Sequence, residues 1–187
     1  MLSRLRHLIR QRWKLISILD LLFFGCLTAA VVSAEIESLA PVSSGWHPNV
    51  LESLSGAGWI GTTIGIVVFQ LLFGGFLVAS LSGMLLFPLP VGILAYHAFC
   101  LGLILWAVPS SMFWPLMLAF FLEGEAFVLG ALGGILVGIS WMMPSLLYGR
   151  ERYSRKETLV KSLTDSACFY LLAITLLIAA AVVEALS

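Results

Sequence analysis

The chain has 187 residues, of which 60% are apolar and only 11% charged, and its mean hydropathy is +1.06. An average soluble domain carries roughly 25% charged residues, so water is excluded as the main solvent. The length suits one helical membrane bundle with little left for a soluble domain. The net charge is zero, and membrane lipid rather than nucleic acid is the expected surrounding.

The zero total hides a segregation: no Lys or Arg occurs between Leu15 and Gly149. One basic block, Arg4, Arg6, Arg10, Arg12 and Lys14, precedes the first apolar run. The other, Arg150, Arg152, Arg155, Lys156 and Lys161, precedes the last. The positive-inside rule makes both blocks cytoplasmic anchors.

Residues 1–14 put Leu2, Leu5, Leu8, Ile9 and Trp13 on one face with arginines opposite, which predicts an amphipathic helix lying on an anionic leaflet. Residues 15–34 form a first span. Its Ala-rich tail has the look of a signal-peptide end, but Asp20 interrupts the apolar region and argues against cleavage. Residues 35–58 carry Glu35, Glu37, Glu52, Pro41 and Pro48 with no basic residue. They read as an extracytoplasmic loop, with a short surface helix at Val50–Leu54 and Trp46 and Trp59 as interfacial anchors.

No Asp, Glu, Lys or Arg occurs from Trp59 to Leu122, so prolines must divide the spans. Pro88 and Pro90 close a second span at 59–87, long enough to require tilt or a kink near Gly74-Gly75. A third runs 91–108 to Pro109-Ser-Ser, a fourth 115–141, and a fifth 166–186 after a basic cytoplasmic loop at 142–165. The expected fold is thus an all-α polytopic bundle of five spans over residues 15–187, N-terminus in and C-terminus out. Four crossings return the second basic block to the cytoplasm without that block having been used to count them, and the fifth takes the C-terminus out.

The fourth span carries Ala126, Gly130, Gly134 and Gly138 every four residues, a ridge along which backbones can approach closely. At about 100° per residue, Glu123 projects into this ridge and Glu125 points to nearly the opposite side. A charge at mid-span costs roughly 2.5–3.5 kcal/mol on insertion scales and so needs a protein or water partner. For Glu123 that partner is either a structural hydrogen bond between helices or part of a transport, relay or catalytic site. The second span repeats the small-residue spacing at Gly61 and Gly65, then at Gly75, Ala79 and Gly83, and is the natural partner for the fourth. Gln70 lies between its two patches.

On the third span Tyr96, His97 and Cys100 are adjacent. A lone intramembrane His is a cofactor ligand, a proton carrier or, more ordinarily, a hydrogen-bonded packing residue. Cys26, Cys100 and Cys168 sit in apolar runs with no metal-ligand spacing. His-Glu-x-x-His, a phosphate loop and a Ser-His-Asp order are missing from the sequence. Neither an enzyme nor a metal or cofactor is expected.

The run MLAFFLEGEAFVLGALGGILVGIS from Met117 to Ser140, a basic loop, and a last helix ending IAAAVVEAL resemble the stage II sporulation protein M family. Glu123 matches that family's first glutamate, Glu184 its last, and Gly130 to Gly138 its small-residue stretch. Ala119 stands where many members have a histidine. The resemblance implies a membrane scaffold that recruits other proteins. The leading expectation is therefore a non-enzymatic multi-pass subunit of the cell membrane that binds other integral membrane proteins, self-association included. The alternative is a small permease with Glu123, Gln70 and His97 along a polar path, and a third reading is a pigment-binding subunit using His97.

The orientation is directly testable. A cysteine replacing Ser43 is expected to react with an impermeant thiol reagent added outside, and one replacing Ser154 is expected to be protected. Reversed labelling would end the assignment.

Overall fold

A computed structural model describes residues 2–37, 58–72, 76–106, 113–143, 145 and 154–186. Six helices make up almost all of them: α1 (Leu2–Glu37), α2 (Gly58–Leu72), α3 (Phe76–Leu85), α4 (Leu89–Trp106), α5 (Phe113–Met142) and α6 (Arg155–Leu186). No strand occurs among the described residues. Five segments are long and apolar enough to cross a membrane, with α2 and α3 together as one, so the chain is an all-α, multi-pass membrane protein.

Several expected boundaries shift. The amphipathic segment 1–14 is not a separate element, because α1 runs unbroken through Lys14 and Leu15 for 36 residues. Arginine and lysine are good helix formers, so the change of solvent at Lys14 need not break the backbone. Pro90 does not end the second span but sits in the first turn of α4, where its missing N–H costs no helical bond. The last helix begins at Arg155, eleven residues before the expected Ser166. Its start is fixed by a capping box: the Ser154 N–H donates to Glu157 Oε2 at 2.8 Å and the Glu157 N–H to Ser154 Oγ at 3.3 Å. The expected surface helix at Val50–Leu54, the anchor Trp46, the kink at Gly74-Gly75, the Pro109-Ser-Ser turn, and Arg150 and Arg152 lie outside the described residues.

Contacts between helices set their directions. Gly102 of α4 stands against the Leu27 backbone and Ala30 of α1, and farther along both helices Trp106 donates to Glu35 at 2.8 Å. Numbers rise together, so α1 and α4 are parallel. On α5, Gly130, Gly134 and Gly138 meet Phe76, Ser80 and Gly83 of α3 in that order, which makes α3 and α5 parallel too. Antiparallel α6 pairs with α5 through Ser166 opposite Gly133 and Ser162 opposite Ser140. These directions are those of a chain that crosses five times.

Helix α5 is the centre. In its most apolar window 83% of residues are buried, against 17–33% for the other spans, and α1, α3, α4 and α6 all pack on it. The small-residue ridge makes this possible. A Cβ on Gly83 would stand 2.8 Å from the Gly134 carbonyl carbon, and Cβ atoms on Gly134 and Gly138 would run into the Ser80 and Gly83 carbonyl oxygens. Gly61 and Gly65 do not take part. They lie on α2, whose backbone packs on α6 and α3 but does not approach α5, so the ridge's partner is only the Ala79–Gly83 half of the second span.

The backbone clash at Gly134 gives a sharp comparison with Gly25, where an added Cβ meets nothing within 4 Å. Gly25→Ala is expected to raise stability by a few tenths of a kcal/mol, the helix-propensity gain tempered by lipid. Gly134→Ala is expected to lower it by about 1–3 kcal/mol, as overpacking does. Unfolding midpoints in mixed micelles check both signs.

Candidate functional site

The polar side chains of the bundle fall into two tiers. Toward the end where α5 finishes and α6 begins, Ser162 donates to Ser140 at 2.7 Å and Ser166 to the Gly133 carbonyl at 2.8 Å. Thr158 and Asp165 are buried beside them, and the Tyr170 ring lies against Gly133 and Phe76. At this end the Trp141 indole N–H donates to the Met84 carbonyl at 2.6 Å, tying α5 to α3, as Trp106 ties α4 to α1 at the other end.

The second tier holds Glu123 and His97. Glu123 is almost fully enclosed, with 4% of its side chain exposed, and its Oε1 lies 3.8 Å from Nε2 of His97 on α4. The His97 ring packs edge-on to Phe127, 4.3 Å between centroids, and retains 22% exposure. Neither His97 Nε2 nor Glu123 Oε1 has a hydrogen-bond partner, although both atoms are buried. At 3.8 Å the two are too far apart for an N–H···O bond, which needs about 3.2 Å or less. Glu184, near the far end of α6, lies within electrostatic reach of Glu123.

Glu125 turns to a different neighbour. Across α5 it comes within electrostatic reach of Asp20 on α1, where the Phe23 ring fills the space over Gly124 and Phe24 stacks on Phe121 at 5.3 Å. The rotation of about 100° per residue that separates Glu123 from Glu125 thus delivers them to different helices. Gln70 is buried on α2, whose backbone does not approach α4 or α5, and so it is not part of the His97–Glu123 contact. Tyr96 faces outward, 72% exposed. Arg6, Arg10, Lys14 and Lys156 are exposed and Arg12 is half-buried.

Sequence reasoning singled out Glu123, Glu125 and His97 but not their partners across the bundle. Asp20 was readable as the sole charge inside the first apolar run, which is by default a functional candidate. That it meets Glu125 depends on the α1–α5 register, for which one sequence carries no local signal. Among the described residues no three His, Cys, Asp or Glu side chains cluster as a metal site.

Between the tiers lies a dry layer. From Glu123 to Gly133 is about ten residues, roughly 15 Å of helix, lined by Ala126, Phe127, Val128, Leu129, Ala131 and Leu132, all buried. Ala173 and Leu177 of α6 close it from the other side. Two double-mutant cycles test the tiers. The Ser140→Ala/Ser162→Ala cycle is expected to give a coupling of about 0.6 kcal/mol, ordinary for a hydrogen bond in a bilayer. The His97→Ala/Glu123→Gln cycle is expected to give a coupling of its own without a hydrogen bond, because two buried polar atoms 3.8 Å apart interact electrostatically across a low-dielectric interior. Zero coupling in the second cycle would make the approach of His97 to Glu123 incidental.

No family model, no curated protein and no solved structure matches this chain, so the site's chemistry is argued from its own geometry.

Proposed function

We propose that this chain is a non-enzymatic subunit of the cell membrane that binds other integral membrane proteins, as its resemblance to the stage II sporulation protein M family implies. The observation that supports this reading is the solid interior. The ridge of α5 is filled by α3, and about 15 Å of buried apolar side chains separates Glu123 from the serine tier. A bundle packed this way is a rigid body whose working surface is its outside. Partners, including a second copy of the chain, then meet the outward faces of α1, α2, α4 and α6, while α5 serves as the internal pillar.

A second reading, a small permease in which Glu123 lines a polar path, is favoured by one observation: the unpartnered pair His97 Nε2 and Glu123 Oε1 inside the bundle. Transport would require the dry layer to open. For a pigment-binding role, His97 Nε2 is turned into protein toward Glu123 rather than toward lipid.

Two substitutions separate the leading readings. Glu123→Gln preserves shape and much of the hydrogen-bonding capacity while removing the charge, whereas Gly134→Leu drives a side chain into the Ser80 backbone. A scaffold is expected to keep its partners in Glu123→Gln, when purified from native membranes in mild detergent, and to lose them in Gly134→Leu. A proton-coupled permease keeps its partners in Glu123→Gln but loses substrate or proton flux in reconstituted vesicles, and that result would overturn the scaffold reading.

A further inference from the structure

The first turns of α1 do not use their apolar side as a surface-lying helix would. Leu8 is buried in the core cluster, Leu5 is half-buried, and Leu15 and Ile16 pack against the same cluster. That side faces the bundle, and α1 continues from it as one helix into the first span. The opposite side is left for whatever surrounds the protein. At about 100° per residue, Arg6, Arg10 and Lys14 share this outward face with Leu21, Gly25, Thr28 and Val32, and all seven are exposed. Arg12 lies on the inward side and is half-buried.

The depth of the basic stripe follows from the packing of α1 on α5. Phe23 covers Gly124, Phe24 stacks on Phe121 and Asp20 comes within reach of Glu125, so the two helices run antiparallel. Phe23 to Arg6 and Gly124 to Trp141 are equal stretches of seventeen residues, about 25 Å, which brings Arg6 level with Trp141. Indoles favour the membrane interface. Arg10 and Lys14 stand one and two turns deeper, but side chains on a helix slant toward its N-terminus, here the interface end. Long basic side chains snorkel the same way. Three cations thus gather at the depth of lipid phosphates, with Trp13 exposed beside them.

We infer that this face of α1 binds an anionic phospholipid, its phosphate held by Arg6, Arg10 and Lys14 and an acyl chain lying along Leu21 and Gly25. Lys14 to Gly25 is about 16 Å of helix, close to the roughly 15 Å of one hydrocarbon leaflet. A Cβ on Gly25 would meet nothing within 4 Å, so among the described residues nothing covers this strip. Gly25 and the exposed Thr28 and Ala29 leave it a shallow notch beyond Leu21. The layout selects the ligand class. An acidic protein segment would answer the cations but not the apolar strip in line with them, and a neutral lipid would leave the charges uncompensated. Each basic residue near an anionic membrane surface contributes roughly fivefold in affinity. The site is independent of the scaffold reading, since it takes one strip of α1 and leaves the outer faces of α2, α4 and α6 to other proteins.

The test counts lipids on the full chain. Delipidated protein in a neutral mild detergent is titrated with phosphatidylglycerol or with phosphatidylcholine of the same acyl chains, and native mass spectrometry resolves the first lipid bound. Phosphatidylglycerol is expected to bind at least about fivefold more tightly. The preference is expected to disappear in Arg6→Gln/Arg10→Gln/Lys14→Gln, exposed positions at which Gln keeps the helix. It is expected to persist in Arg150→Gln/Arg152→Gln/Lys156→Gln, which removes the same charge from the other basic block. Circular dichroism checks that both variants keep the parent's helix content. On the unmodified protein, glycerol phosphate in excess, a headgroup without chains, is expected to leave the bound lipid in place. Equal affinity for the two lipids, a preference that survives in the first variant or is lost in both, or displacement by glycerol phosphate would each overturn the inference.

Discussion

Helices already inside a bilayer gain nothing from hiding apolar side chains, because lipid is as apolar as leucine, so what holds them together is close contact and hydrogen bonding. In this bundle the contact that everything else leans on is the meeting of the α3 and α5 backbones at Ser80–Gly134 and Gly83–Gly138. With side chains reduced to hydrogen along that line, α5 can be surrounded by α1, α3, α4 and α6 at once. The parallel pairing of α3 with α5 in turn fixes the hairpin through Leu86–Leu89 and sets α4 against α5 at the level where His97 meets Glu123.

The hydrogen bonds then sort by depth. Indoles at both ends, Trp106 on Glu35 and Trp141 on the Met84 carbonyl, occupy the amphipathic positions that aromatic residues favour at membrane interfaces. Hydroxyls bond across α5 and α6 where the cost of failing to do so is moderate. Among the described residues the buried atoms left unpaired are Asp20 Oδ1, His97 Nε2, Glu123 Oε1 and, in the serine tier, Tyr170 Oη. The closest two of these atoms are His97 Nε2 and Glu123 Oε1, 3.8 Å apart, and unmet polar demand of this kind inside a membrane is where functional chemistry is drawn.

The number of crossings was legible because each span needs about 20 apolar residues and prolines divide the long uncharged run. The ridge was legible because its four-residue period survives in any environment, and the divergence of Glu123 from Glu125 because helical rotation is fixed. The continuity of α1 was not, since hydropathy falls at Arg12 and Lys14 while helix propensity does not. The start of α6 was missed because Ser154-Arg-Lys-Glu157 reads as a charged loop unless the Ser-x-x-Glu spacing is taken as a cap. Assigning the ridge's partner to the Ala79–Gly83 half alone, and pairing His97 with Glu123 and Asp20 with Glu125, required the relative heights of helices far apart in sequence. Periodicity within one helix says nothing about those heights.

Placing the acids on α5 has a mechanical consequence. A charge on a peripheral helix could be relieved by that helix tilting or its side chain snorkelling to the interface, but α5 is packed by four neighbours and locked by backbone contacts at Gly134 and Gly138. Relieving Glu123, which is 3% exposed, therefore means moving a neighbouring helix, while Glu125 is half-buried within electrostatic reach of Asp20 on α1. The helices that would move are the same ones whose outer faces any partner would touch. The charge state at the centre and the shape of the surface are in this way two ends of one packing arrangement, joined by a helix that is buried from Ala126 to Gly138 and turns an outward face only toward its ends, at Trp114, Leu118, Phe121 and Trp141.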